Sequence, residues 1–312
     1  MGPILLIAIA AAAASALLAA GVAAGSVLAV PLFYLAPLPV MIAGIAFSPI
    51  AAGLAVVLAG AGLGLMFGGA FLLAYVLGIG APAFALAYAA MLARPNEAQP
   101  DELVWYPVGH LVLLAAGFAT LSVGVAVFSM AGDYETYRAA VTATFDAMLG
   151  PATAGPDAEA GRAFMAHVLP PMAGLLTMVS QLICLYLAGR AARISDRMGR
   201  PWPQLSMMRL PRMAPFVLGA ALVVTMLPGL LGLVGSVAAA TVMLAFSLVG
   251  FAVVHAITIG YGGRAMILAA LWLTTVVLGW PVLAMAVLGF TDALFDFRAR
   301  LAGRPLPPAK DR

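Results

Sequence analysis

Few residues in this chain could carry out chemistry. His110, His167 and His255 each fall within a turn or two of the end of an apolar stretch, and their spacing does not match HExxH or a similar metal motif. No acidic residue is expected deep within an apolar stretch, which disfavours a Ser-His-acid triad and proton coupling through membrane carboxylates. Spacing alone leaves a rhomboid-like serine and histidine pair open, although GxSxG is absent. We therefore predict no catalytic residue, no metal, no cofactor and no enzymatic activity.

Uncharged polar groups within apolar stretches are the remaining candidates. Gln181 lies near the middle of one stretch, and Tyr34 lies in another, residues 27–47, that contains three prolines. Because an interior proline removes a backbone hydrogen bond, we predict a break near residues 34–39. Broken helices line substrate sites in several transporter folds, whereas a purely structural kink is the alternative. We predict that Tyr34, Gln181 and His255 bind a substrate, which suits a small organic ligand better than an ion.

The composition indicates an integral membrane protein. Hydrophobic residues make up 64% of the 312 positions and charged residues 9%, whereas soluble domains average about half and about a quarter. No charged residue or histidine precedes Arg94, and at about 20 residues per crossing that stretch accommodates about four helices. We predict an all-α polytopic transmembrane bundle of about eight to ten segments over residues 1–300, followed by a flexible cytoplasmic tail at 301–312.

The loop at residues 190–212, here called the arginine loop, sets the predicted orientation. It carries six arginines and a single acid, Asp196. Short basic loops stay on the cytoplasmic side of a membrane. We therefore predict that the protein lies in a bacterial inner membrane and that this loop faces the cytoplasm. We expect Arg190, Arg193, Arg197 and Arg200 to continue the sixth helix into the cytosol. The positive net charge of +3 is confined to loops and tail, which favours lipid as the partner and excludes nucleic acid.

Residues 132–164 form the longest polar insertion, and its negative balance predicts an extracytoplasmic location. Asp133 is a predicted N-cap, apolar residues follow at helical spacing, and Gly150-Pro151 ends the pattern. We predict an amphipathic helix that either covers the mouth of the bundle or simply connects two spans. The sixth span is expected over residues 167–189.

The basic C-terminal tail constrains the last two segments. A single helix from residue 264 to 290 would place that tail outside, against the charge rule. Gly279-Trp280-Pro281 is a turn signal, so we predict two short helices that leave and return. Asp292, Asp296 and Arg300 are spaced four apart and are expected to form a charged stripe at the headgroups. Both termini are then cytoplasmic.

Alanines recur at every fourth position of the first span, including Ala8, Ala12 and Ala16. Such a stripe allows close helix approach in lipid. We predict that it serves either as a face for docking a membrane partner or as an intramolecular packing face. The arginine loop, through Arg190, Arg193 and Arg197, is a second predicted docking element.

Several segments resemble the YybS-like family of bacterial membrane proteins, a domain of unknown function. The resemblance is carried by FYLAPLPV at 33–40, by the helix after the fifth span, by GFAVVHAI at 250–257 and by GFTDALFDFR at 289–298. That family is grouped with the substrate-capture subunits of energy-coupling-factor importers. The resemblance implies a bundle that binds a small molecule and docks onto a partner with ATPase activity. Those subunits usually have six segments, whereas we predict more than six for this chain.

The leading hypothesis is therefore a small-molecule-binding membrane subunit of a transporter. The absence of a Walker sequence means that a partner ATPase would supply the energy. The alternative is a non-enzymatic structural or assembly protein whose arginine loop recruits partners.

Overall fold

The computed structural model describes residues 2–24, 29–97, 99, 101–149 and 156–298, which are almost wholly helical. The helices are α1 Gly2–Ala20, α2 Ala29–Phe33, α3 Pro37–Ala46, α4 Pro49–Phe67, α5 Gly69–Tyr75, α6 Ala81–Ala90, α7 Val108–Met130, α8 Tyr134–Leu149, α9 Pro156–Ile194, α10 Ala214–Thr225, α11 Gly229–Ile257, α12 Arg264–Leu278 and α13 Pro281–Phe295. A π-helical turn, Val76–Gly80, joins α5 to α6. The strands β1 Ala93–Pro95 and β2 Leu103–Trp105 pair as an antiparallel hairpin.

The helices form a polytopic membrane bundle. Seven spans in the described residues are long and apolar enough to cross a bilayer, and α10, α12 and α13 are shorter apolar helices. Large apolar side chains cover the outside: Leu65 is 90% exposed, Met226 84% and Val276 80%. This distribution is expected where lipid is the solvent, because an outward apolar side chain then has no cost. The predicted all-α polytopic bundle is confirmed, with seven helices of spanning length in the described residues; the predicted count of eight to ten segments stays a prediction that depends on the three shorter helices.

One end of the bundle, here called the arginine end, collects the arginine loop and the connections that it contacts. The Arg197 guanidinium lies 4.6 Å from the ring centre of Phe47, at the α3–α4 turn. Arg200 donates from Nη1 to the Ala90 carbonyl at 2.8 Å, next to the hairpin. The opposite end carries α8. Successive spans alternate in direction between these two ends, so that α1 begins at the arginine end.

The last two helices also follow the predicted path. Helix α12 ends at Leu278, Gly279 takes the left-handed φ of +71°, and α13 begins at Pro281. Helix α13 then returns to the arginine end, where the Arg298 side chain contacts the arginine loop. The tail beyond residue 298 lies outside the described residues.

Helix α11 is the central element, and α13 packs closely along it. A Cβ atom added at Gly250 would lie 2.0 Å from the Met285 carbonyl oxygen, and one at Gly289 would lie 2.0 Å from that of Phe246. No Cβ atom tolerates such a distance, so both glycines are required for this helix contact. They begin the two motifs GFAVVHAI and GFTDALFDFR that the sequence singled out.

Helix α8 packs on the bundle at the end opposite the arginine loop. Asp133 caps it, because its Oδ1 accepts from the Thr136 N–H at 2.8 Å and its Oδ2 accepts from the Thr136 hydroxyl at 2.9 Å. Tyr137 and Val141 are buried against neighbouring spans, and burial raises the pKa of Tyr137 to about 12. The predicted stop at Gly150-Pro151 lies outside the described residues.

Three details of the sequence-based picture are wrong. Helix α9 runs from Pro156 to Ile194, well beyond the expected 167–189, and contains Pro170 and Pro171. It ends before Arg197, whose N–H donates to the Ala192 carbonyl at 2.8 Å while Asp196 takes a φ of +52°, a common helix-ending arrangement. Arg197 and Arg200 therefore lie in the loop, and not on the helix.

The third error concerns Asp292 and Asp296, which do not form a surface stripe. Asp292 is buried and pairs with Arg298, whereas Asp296 lies past the end of α13, with a φ of +49°, and pairs with Arg209. Arg300 lies outside the described residues. A buried carboxylate near a membrane boundary was not expected from the sequence.

The alanine stripe of α1 lies on an intramolecular packing face. Ala8 and Ala12 are 0% and 6% exposed, and α1 packs on α4 and α3. Ala16 is only partly buried. The contacts therefore match the packing alternative for Ala8 and Ala12, which present little surface to a second protein.

Candidate functional site

The second span is broken between Phe33 and Pro37, and the break frees backbone carbonyl groups within the bundle. The Tyr34 carbonyl accepts from the Ser180 hydroxyl and from the Cys184 thiol, the latter at 3.4 Å. The Ala36 carbonyl accepts from the Ser15 hydroxyl at 2.7 Å. Side chains of α9 and α1 thus bond carbonyl groups at the break, as unwound backbone inside a membrane requires.

A second buried hydroxyl completes this network. Ser15 Oγ lies 2.7 Å from the Tyr75 hydroxyl oxygen, and both side chains are at most 2% exposed. Because Ser15 has one hydroxyl proton and donates it to the Ala36 carbonyl, the Tyr75 hydroxyl is the donor in this pair. The Tyr34 and Ala36 carbonyls and the hydroxyls of Ser15, Tyr75 and Ser180 therefore all have hydrogen-bond partners.

Gln181 is the exception. Its side chain is 1% exposed, yet neither Oε1 nor Nε2 has a hydrogen-bond partner among the described residues. A buried amide without partners costs about 1–3 kcal/mol. Gln181 follows Ser180 on α9 and lies 13 residues before Ile194, which at 1.5 Å per residue is about 20 Å from that end of the helix. The unpaired carboxamide is thus far inside the bundle.

Tyr34 and Gln181 line the same cavity, here called the membrane cavity, with a volume of about 410 Å³. Its wall is mostly apolar, with Pro37, Leu73 and Ile79 among its members. Ser122 also lines it, but its hydroxyl oxygen lies 2.7 Å from the Phe118 carbonyl oxygen and 3.0 Å from that of Leu77, so its one proton is already donated to a carbonyl. The cavity therefore has mostly apolar walls and is lined in part by Gln181, whose buried carboxamide has no hydrogen-bond partner among the described residues.

His255 does not belong to this cavity. It lies near the end of α11, where its Nδ1 is 2.8 Å from the Phe251 carbonyl oxygen and its ring makes an edge contact with Trp272. It lines a second cavity of about 560 Å³ at the arginine end, here called the arginine-end cavity. The structure thus brings together Tyr34 and Gln181 of the predicted substrate set and separates His255 from them.

The predicted docking arginines are exposed and lie against aromatic rings. The guanidinium carbons of Arg190 and Arg193 are 5.8 Å and 5.4 Å from the ring centre of Trp202. Arg197 lies over Phe47, as described above. Contacts of this length are typical of cation–π pairs. These arginines form an exposed cationic surface stiffened by aromatic contacts.

A buried ion pair fixes the arginine loop to α13. Arg298 donates from Nε at 3.0 Å and from Nη2 at 2.8 Å to Asp292 Oδ2, and it also donates to the carbonyls of Ser206 and Met208 at 2.9 Å each. Both side chains of the pair are at most 5% exposed. The sequence did not predict this contact, because Asp292 and Arg298 are six positions apart, which is not a helical pairing distance. Their contact depends on how the arginine loop packs against the end of α13.

No group of three or more histidine, cysteine or acidic side chains that could hold a metal occurs in the described ranges. Comparison of the chain with protein-family models, curated proteins and solved structures finds no match. The resemblance to the YybS-like family therefore stays a prediction, carried by the motifs quoted above.

Proposed function

We propose that this membrane protein binds a small, uncharged organic molecule in the membrane cavity. The observation that carries the proposal is the buried Gln181 carboxamide, which has no protein partner in the described part of the chain although the polar groups around it do. A protein keeps such an unfavourable group where something other than the fold makes use of it.

The chemistry of the cavity defines the class of ligand. A carboxamide offers one acceptor and two donor hydrogens, so the matching ligand has a donor and an acceptor close together, as in an amide, a lactam or a heterocycle. The volume of about 410 Å³ suits a compact molecule. The apolar wall and the lack of a charged residue among the described lining side chains favour a neutral one.

The physiological role that fits this site best is substrate capture for import across a bacterial inner membrane. The chain has no Walker sequence, so a partner ATPase would supply the energy. The arginine end would face the cytoplasm, because basic loops remain there, and α1 begins and α13 ends on that side. The absence of charge from the cavity argues against proton or ion coupling within the chain.

A thermal-unfolding screen of the full chain in neutral detergent tests the proposal. Neutral amides, lactams and heterocyclic vitamins are added singly, and a ligand raises the midpoint by mass action. We expect at least one compound to raise the midpoint of the wild type and not that of Gln181→Leu, while Gln204→Leu, an exposed glutamine of the arginine loop, retains the shift. Equal shifts in wild type and Gln181→Leu contradict the assignment of the site.

A second candidate is an assembly protein whose arginine loop recruits an acidic partner. The exposed surface of Arg190, Arg193 and Arg197 favours it, because none of the three pairs with a carboxylate in the described ranges. Changing all three to glutamine should then abolish co-purification of the partner and leave ligand binding intact. Loss of ligand binding with co-purification preserved would contradict it.

A further inference from the structure

The arginine-end cavity is larger than the membrane cavity and differs from it in charge. Its apolar wall comes from α7, α9 and α11, with Leu111, Leu185 and Leu248 among its members. Its polar groups include two arginines: Arg200 of the arginine loop and Arg264 at the start of α12. An apolar chamber with cationic groups in its wall is complementary to a molecule that has an apolar body and a negative head.

Within the described part of the chain, neither arginine pairs with a carboxylate. Among those residues, Arg200 contacts the Ala90 carbonyl and the ring of Trp105, and Arg264 contacts the His255 carbonyl at 3.4 Å. The Nε of Arg264 is buried and has no hydrogen-bond partner within the described ranges. Burial lowers the pKa of Arg200, which is the effect of a positive charge held away from water without a counter-ion.

The neighbouring carboxylates are engaged elsewhere. Asp292 forms the buried pair with Arg298, and Asp296 pairs with Arg209. No acidic residue belongs to the described lining of the cavity. The positive charge of this wall is therefore available to a ligand.

Aromatic side chains mark the opening of the cavity. Trp202 of the arginine loop lies at the wall, and Trp272 and Tyr186 are 45% and 47% exposed, although they line the chamber. Trp and Tyr favour the boundary between headgroups and hydrocarbon. A chain that enters here can leave its head at the level of the arginines.

We propose that the arginine-end cavity binds a single-chain anionic amphiphile, with its carboxylate or phosphate head at Arg200 and Arg264 and its alkyl chain along the leucines. Guanidinium groups bind both kinds of head through charge-assisted hydrogen bonds. This site is separate from the membrane cavity, and the proposal stands independently of the function proposed for Gln181.

Tryptophan quenching tests it, because Trp202 and Trp272 line the cavity. The full chain in neutral detergent is titrated with brominated alkyl carboxylate, alkyl phosphate and alkyl trimethylammonium of equal length. We expect saturable quenching by the anionic probes and none beyond non-specific partitioning by the cationic probe. The stronger of the two anionic probes identifies the preferred head group. Equal saturable quenching by the cationic probe overturns the proposal.

Variants then locate the head group. Arg200→Gln and Arg264→Gln should each raise the Kd for the anionic probe by about tenfold, whereas Arg212→Gln, an exposed arginine of the same loop, and Gln181→Leu should leave it unchanged. If Arg264→Gln does not fold, Arg264→Lys keeps the charge and should retain most of the binding. An unchanged Kd in Arg200→Gln and in a folded Arg264→Gln or Arg264→Ala overturns the proposal.

Discussion

Gln181 and Asp292 are both buried polar residues on membrane helices, yet their surroundings are opposite. The charged group, Asp292, has the bidentate contact of Arg298, which in turn bonds two loop carbonyls. The neutral group, Gln181, has no protein partner in the described residues. Asp292 is therefore explained by the fold alone, because it fastens the arginine loop to α13. Gln181 is not, and we assign it to a ligand.

The largest expected effect comes from breaking the satisfied pair. Arg298→Met leaves the Asp292 carboxylate buried without a partner and should lower the free energy of unfolding by about 3–5 kcal/mol. Chemical unfolding of the full chain in neutral detergent measures it. The matched control is Arg209→Met, which breaks the half-exposed pair with Asp296 and should cost no more than about 1 kcal/mol. Similar losses in the two variants would show that burial does not distinguish these pairs.

Gln181→Leu should raise the free energy of unfolding, whereas Arg298→Met should lower it. Replacing an unpaired buried amide by an apolar side chain of similar size removes a desolvation penalty, so the unliganded protein should gain about 1–3 kcal/mol of stability. The same unfolding assay measures it. Gln204→Leu on the exposed loop should change stability by less than about 0.5 kcal/mol. A destabilised Gln181→Leu variant would mean that the carboxamide has a structural partner after all.

Ser15 is buried and uncharged, as Gln181 is, but its hydroxyl has hydrogen-bond partners. Ser15→Ala leaves the Ala36 carbonyl and the Tyr75 hydroxyl without their buried partner, and it should cost about 1–2 kcal/mol. Ser129→Ala is the control, because that exposed hydroxyl bonds only to its own helix. If Ser15→Ala were instead stabilising, as we expect Gln181→Leu to be, then the presence or absence of hydrogen-bond partners could not be used to tell structural polar groups from functional ones.

The smallest effect is expected at the opposite end of the bundle. The N–H and hydroxyl of Thr136 hold the pKa of Asp133 below its ordinary value of 3.8. The cap therefore contributes its stability above pH 3.8, and that contribution is lost as the pH falls through the lower folded value. The protection factors of the α8 amides, which correct for the intrinsic pH dependence of exchange, should fall over that range in the wild type. Asp133→Asn keeps a capping side chain but does not titrate, so the same acid-dependent fall in that variant would contradict the assignment.

Much of the fold could be predicted from the sequence, because its strongest signals act locally. The charge-free stretch before Arg94, the prolines around Tyr34 and the Gly279-Trp280-Pro281 turn each specify a span, a break or a reversal without reference to distant residues. The direction of α12 and α13 followed from charge. Helix α9 was misjudged, because Pro170 and Pro171 were expected close to its outer end and the structure extends the helix past them.

The candidate site was only half predictable. Tyr34 and Gln181 stood out as polar residues in apolar stretches, and the structure places both in one cavity. That the Gln181 carboxamide is unsatisfied among the described residues while the nearby Ser15, Tyr75 and Ser180 hydroxyls are bonded depends on which hydroxyls reach which carbonyls, and sequence spacing cannot give this. His255 was grouped with them by chemical type, but it lies near the arginine end of α11, with Arg264 and Trp272. The Asp292–Arg298 pair was missed because a carboxylate six residues from an arginine has no helical pairing rule.

The most direct test of the central claim is an experimental structure of the full chain purified from its native membrane, at a resolution that separates ordered water from an organic molecule. We expect a non-protein organic molecule within hydrogen-bond distance of Oε1 or Nε2 of Gln181, in the cavity beside Tyr34. A Gln181 carboxamide bonded to a protein group, or one that contacts ordered water only, would contradict it.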